Sequence, residues 1–294
     1  MKKWLILLLC LIAVFASISC AGNAAGQEIE PTFCRNVTYG TDPQQVMDLI
    51  LPIPEDANGG VILFIHGGGW VSGDKNQAEE HIKKYQQSGY ITATMNYRFL
   101  SDDVSMADLM DDITAALLFI RAQAEAHGMT AAKAMLVGWS AGGQMAELYA
   151  YTKNDASPIP VECAFAYSGV ADMNALSAVA QAYNIAGIPM QEILSHAVGA
   201  SLDDMTADQI EEMLLAISPI RYADTAVPTV ICHGVVDDLV PYGTAETLKD
   251  RLDAAEVPNT LIPFPRSGHE LQSDREQLQE SLDQLAWYAA KYLK

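Results

Sequence analysis

Positive charge is scarce in this chain. Seventeen lysines and arginines stand against 37 aspartates and glutamates, for a net charge of −20. A surface of that sign repels nucleic acid and anionic lipid headgroups, so the acidity reads as a solvated surface. Cysteine is also sparse, five in 294 residues, and no C-x-x-C spacing occurs, so neither structural zinc nor a dithiol redox motif is indicated. Cys163 and Cys232 lie inside apolar runs and read as core residues. Nothing in the spacing argues for a disulfide. Internal repeats and low-complexity segments are absent. Charged residues make up only 18% of the chain and hydrophobic ones 50%, which argues against disorder and allows a sizeable core. The length suits one large α/β domain, with no need for two.

Long apolar runs are confined to the N-terminus. Met1-Lys-Lys is followed by an apolar stretch, Trp4 to Phe15, too short and too terminal for a membrane span, and then by small residues up to Cys20-Ala-Gly. This reads as an export leader over 1–20. Cys20 resembles the acceptor cysteine of a bacterial lipoprotein signal, although Ser17 stands where that pattern usually has leucine. Lipidation at Cys20 and simple cleavage near Ser19 or Ala21 are both open, and a lipid would be the chain's one link to a membrane. Residues 21–34 read as a flexible linker, and 35–294 as the folded domain.

Within that domain, strand and helix patterns alternate. An opening hairpin is expected over 35–51, and buried strands at 61–65, 90–97, 135–137, 161–167, 227–232 and 260–264. Helices are expected over 76–88, 105–127, after residue 143, over 244–255 and over 273–293. Such alternation implies a mostly parallel sheet covered by helices on both faces. Residues 172–220 break the rhythm. This helix-rich stretch is too long for a simple crossover and reads as a cap inserted over a site; two ordinary surface helices are the plainer alternative.

The chemistry centres on Gly138-Trp139-Ser140-Ala141-Gly142, a G-x-S-x-G pattern between a strand and a helix start. A serine on so sharp a turn takes a strained backbone and needs small neighbours. Its hydroxyl then sits beside a helix N-terminus, where developing negative charge is favoured. A serine hydroxyl is a poor nucleophile without a base, and the base needs a partner to fix its tautomer. Asp237 falls just past the strand at 227–232, with Asp238 as rival and Glu270 as a third candidate. His269 falls in the loop after the strand at 260–264. The other histidines have plainer readings: His127 at a helix end, His81 on a polar helix face, His196 in the cap, and His233 bracing the loop of Asp237. Gly67-Gly68-Gly69 follows the first buried strand and lets backbone N–H groups approach a ligand. Gly68, Gly69 and Ala141 are therefore the candidate oxyanion donors. The same glycines lack the lysine and threonine of a phosphate-binding loop and the spacing of a dinucleotide site.

Taken together, Met47-Asp-Leu-Ile-Leu-Pro52, His66-Gly-Gly-Gly-Trp70, Asn96-Tyr97-Arg98, Gly138-Trp-Ser-Ala-Gly-Gly143, His233-Gly-Val-Val-Asp237 with Val240-Pro241, and Gly268-His269 resemble the α/β-hydrolase carboxylesterases with an HGGG loop. That group includes hormone-sensitive-lipase-like esterases and bacterial acetyl-xylan and feruloyl esterases. Hormone-sensitive-lipase relatives usually carry aspartate before the serine, where this chain has Trp139, which favours the polysaccharide-esterase side. The resemblance implies an α/β-hydrolase fold with a helical cap insertion. It further implies Ser140 as nucleophile, His269 as base and Asp237 as orienting acid, with no metal and no cofactor. The expected activity is an exported serine carboxylesterase acting on short acyl esters, acetyl or feruloyl groups on plant polysaccharide among them. An amidase or peptidase such as a formamidase, and a binding protein on a dead hydrolase scaffold, are the alternatives.

Overall fold

The computed structural model describes residues 30–179, 183–203 and 205–294. The leader, Cys20 and the first part of the linker lie outside these residues. In chain order the strands are β1 (Thr32–Thr38), β2 (Val46–Leu51), β3 (Gly60–Ile65), β4 (Ile91–Met95), β5 (Lys133–Trp139), β6 (Val161–Tyr167), β7 (Asn184–Ile185), β8 (Ile188–Pro189), β9 (Thr229–Gly234) and β10 (Asn259–Phe264). The α-helices are α1 (Glu79–Gln86), α2 (Met106–Ala126), α3 (Ala141–Thr152), α4 (Met173–Val179), α5 (Met190–Val198), α6 (Ala207–Ala216), α7 (Tyr242–Ala254) and α8 (Arg275–Tyr292).

Eight strands form one sheet in the order β1-β2-β4-β3-β5-β6-β9-β10. The β1–β2 and β2–β4 pairs are antiparallel, and every pair from β4 to β10 is parallel. The central strand β3 is buried along its whole length, as covering both faces of a sheet requires. Its side chains alternate between two cores. Val61, Leu63 and Ile65 join Ile113 and Leu117 of α2, Leu148 of α3 and Leu248 of α7. Ile62 and Phe64 face Ile82 of α1 and Leu285 and Tyr288 of α8. Helix α2 starts at a capping box in which Ser105 and Asp108 bond reciprocally, which satisfies amides the helix cannot.

Three expectations are corrected. The linker does not reach residue 34: Thr32 pairs with Leu51 and Cys34 with Leu49, so β1 already has its register there. The helix expected over 76–88 opens as a 3-10 turn, Lys75–Ala78, capped by the Asp74 side chain, and α1 ends at Gln86. His81 is not on a wholly polar face, because its ring stacks on Phe64 at 5.6 Å and lies 5.9 Å from Trp139.

Between β6 and β9 the chain carries α4, the short β7–β8 hairpin, α5, α6 and a 3-10 segment, Pro219–Thr225. Two contacts tie the hairpin across the molecule. A Cβ added to Gly69 would lie 2.4 Å from Ile185 Cδ1, and the Tyr183 hydroxyl donates to the Asp238 carbonyl at 3.2 Å.

Candidate active site

Parallel strands deliver their following loops to one edge of a sheet. Here β3, β5, β9 and β10 place at that edge the glycine loop, Ser140, Asp237 and His269 respectively.

Ser140 has φ 52° and ψ −117°, a left-handed conformation that costs about 1–3 kcal/mol and persists only where packing enforces it. The enforcement is visible at its neighbours. A Cβ on Gly138 would fall 2.0 Å from the Gly142 carbonyl oxygen, and one on Gly142 would fall 2.2 Å from that of Ile65. Strand and helix therefore meet too closely for any side chain at these two positions. The serine N–H is bonded to the Tyr167 carbonyl at 2.8 Å, which pins the elbow to β6.

His269 bridges the two remaining groups. Its Nε2 lies 2.8 Å from Ser140 Oγ and its Nδ1 lies 2.8 Å from Asp237 Oδ2. A carboxylate can only accept, so the imidazole proton sits on Nδ1 and Nε2 is free to accept from the serine hydroxyl. The Asp237 side chain is fully buried. Its Oδ1 accepts the amides of Leu239 and Val240, both at 2.9 Å. Burial works against the charged form, yet hydrogen bonds from His233 and His269 and the Val240 amide hold this carboxyl far below the usual carboxylate range. It remains an anion next to His269, which orients the ring and stabilises the positive charge it would take up. Asp238 and Glu270, the rival acids, are exposed.

The glycine loop is braced through its carbonyls. His66 Nδ1–H donates to the Gly67 carbonyl at 2.7 Å, and Ser72 Oγ donates to the Gly68 carbonyl at 2.7 Å. The Tyr97 hydroxyl bonds the His66 carbonyl at 3.1 Å, with the Tyr97 ring stacked on that imidazole at 4.3 Å. Gly68 and Gly69 have φ of 119° and 60°, and Ala141 is the first residue of α3.

Several supporting groups carry no motif. Ser168 Oγ donates to the His269 carbonyl at 2.8 Å. Asp274 accepts Ser267 Oγ at 2.6 Å and the Arg266 amide at 2.9 Å, closing the loop that holds His269. Gln144 accepts the Trp70 indole N–H at 3.0 Å and donates to the Ile217 carbonyl at 2.7 Å, so one α3 side chain joins the glycine loop to the 172–226 segment. His196 stands apart, 3.2 Å from Asp102, beside a cleft of about 760 Å³ that none of Ser140, Asp237 or His269 lines. His127 bonds the Gln123 carbonyl within its own helix end.

Among known proteins, the BD-FAE family profile matches residues 47–252. The chain is 24% identical over 250 residues to isoprenylcysteine alpha-carbonyl methylesterase ICME of Arabidopsis thaliana, covering 80% of this chain and 56% of the relative. It is 25% identical over 254 residues to esterase LipC of Mycobacterium tuberculosis, covering 80% and 59%. This chain thus spans little more than half the length of the curated relatives it matches. The fold is similar to that of a truncated carbohydrate esterase from gut microbiota, with a TM-score of 0.70 at 18% identity, covering 88% of this chain and 97% of the other.

Proposed function

This chain belongs to the BD-FAE family of α/β-hydrolase esterases, and on that premise we propose that it is a serine carboxylesterase working through an acyl-enzyme. The observation that carries the reading is His269 held 2.8 Å from both Ser140 Oγ and Asp237 Oδ2. Ser140 Oγ attacks the ester carbonyl carbon while its proton passes to His269 Nε2. The oxyanion is received by the backbone N–H groups of Gly68, Gly69 and Ala141. As the tetrahedral adduct collapses, His269 returns the proton to the leaving alkoxide and the alcohol departs. Water then gives its proton to His269 and attacks the acyl carbon, restoring the serine and releasing the acid.

We propose short acyl groups as substrates, acetyl or feruloyl esters of plant polysaccharide among them. Ile185 packed on the glycine loop supports a confined space beside the carbonyl, and the carbohydrate esterase of like fold supports a sugar-borne alcohol. The test is a panel of acetyl, butyryl, octanoyl and feruloyl esters set against a formyl amide. Hydrolysis of short esters, lost on serine-directed phosphonate labelling of Ser140, is expected. A preference for the amide would reassign the bond cleaved, and no hydrolysis of any member would remove the enzyme reading.

Export is part of the proposal. Its support is the leader pattern at 1–20. The mass of the mature N-terminus reads out both leader removal and the state of Cys20.

A further inference from the structure

The carboxylate of Asp237 serves two imidazoles. His233 Nε2 lies 3.3 Å from the same Oδ2 that His269 approaches at 2.8 Å. His233 Nε2 also lies 2.9 Å from the Val240 carbonyl. Both neighbours of this nitrogen are acceptors, so the His233 proton belongs on Nε2, and the N–H is shared between them. The other nitrogen, Nδ1, is buried with no hydrogen-bond partner among the described residues. A buried acceptor left without a partner costs about 1–3 kcal/mol, so the ring is held in this tautomer by what its Nε2–H meets.

We propose that His233 is a positioning residue for the triad, whose Nε2–H takes part of the Asp237 charge and so sets how strongly that carboxylate holds a proton on His269. Asp237 then has four N–H donors: two amides on Oδ1, and on Oδ2 the rings of His233 and His269. With Oδ1 fixed by the chain, rotation of the carboxylate is barred. The donor from His233 weakens the pull of the anion on the imidazolium that forms when His269 takes the serine proton. The titratable groups about His233 are Asp237 on its own loop, His269 across Oδ2, and Tyr242 at the start of α7, whose ring lies 6.0 Å away. Burial raises the Tyr242 phenol above its ordinary value, so it brings no charge near neutrality. The inference rests on the esterase reading for its activity readout, though not for its structural one.

The experiment compares His233→Phe, which keeps ring volume without a donor, with His233→Gln, whose terminal amide N–H reaches where Nε2 stood. In His233→Phe the acid limb of kcat/KM is expected to move up by about half to one pH unit, the fraction of a charged hydrogen bond that a long contact supplies. In His233→Gln the limb returns to its wild-type position. A folded, active His233→Phe protein with an unmoved limb overturns the proposal, and so does failure of Gln to restore it. Should His233→Phe not fold, nitrogen-15 imidazole NMR of the intact protein decides: His233 protonated at Nε2 supports the proposal and protonation at Nδ1 overturns it. That spectrum is readable even if no ester is hydrolysed, so failure of the esterase reading and failure of this inference are told apart.

Discussion

Trp139 lies flat on Tyr167, with ring centroids 4.0 Å apart and planes 8° from parallel. The pair joins the last residue of β5 to the last residue of β6, and both adjoin Ser140: Trp139 precedes it, and the Tyr167 carbonyl accepts its N–H. It gives a physical role to the position at which hormone-sensitive-lipase relatives usually have aspartate. The indole is a flat support for a turn whose own backbone is strained. Trp139→Ala should destabilise the protein by about 3 kcal/mol, measured by urea unfolding, whereas Trp139→Phe should cost well under half of that. Equal losses for the two would mean that the stacked ring is not what supports the turn.

Ser140→Ala should lower kcat by about 10⁴-fold or more with folding retained. Steady-state kinetics and circular dichroism on one preparation check both halves. Near-normal turnover would remove Ser140 from the reaction.

The two adjacent aspartates should behave differently. Asp237→Asn removes the charge beside His269 and allows the wrong tautomer, an error worth on the order of 10⁴ in kcat. Asp238 is exposed, and what it offers Tyr183 is its backbone carbonyl, so Asp238→Asn should stay within about twofold, as expected for a surface change away from the chemistry. The reverse pattern would hand the role to Asp238.

Ile185→Ala opens the space above Gly69 without touching the catalytic groups. The ratio of octanoyl to acetyl ester hydrolysis should rise by about tenfold, the selectivity that one or two methylenes supply. An unchanged ratio would place the acyl group elsewhere.

Glu147 offers a stability test away from the site. It is fully buried on α3, both carboxyl oxygens lack a partner among the described residues, and burial pushes its pKa up to about 8 from 4.5. Below the unfolded value both states hold the proton and the group makes no difference. Between the two values only the unfolded chain ionises freely, so stability falls as pH rises through this window, and the loss levels off above about 8. The full effect is on the order of 3–5 kcal/mol. Glu147→Gln should therefore raise Tm more at pH 8 than at pH 5, by calorimetry. An equal gain at both would mean the carboxyl finds a partner or a water in solution.

Much of this molecule was legible in its sequence because local pattern and global fold agree. The uninterrupted apolar run of β3 allows only a strand covered on both faces. Ser140, Asp237 and His269 each stand just past such a run, and parallel strands bring those ends together. What was hidden depends on pairs far apart in the chain. Asp48 and Lys75 form a buried ion pair at 2.8 Å, with side chains only 2% and 4% exposed, and no spacing rule joins them. Ser168 reaches the His269 carbonyl across 101 residues. The β7–β8 hairpin has two residues per strand, too few to show an alternation. The early start of β1 went unseen because Thr32-Phe-Cys34 gains its meaning only from pairing with β2.

The β7–β8 hairpin touches the glycine loop through Ile185 and the acid loop through Tyr183, yet contributes no member of the serine–histidine–aspartate set. On the proposed reading, the groups that break the bond and the side chain that bounds the acyl space come from separate stretches of the polypeptide. A replacement for 172–226 would have to keep a carbonyl for Gln144 and an apolar side chain over Gly69, because the glycine loop leans on both.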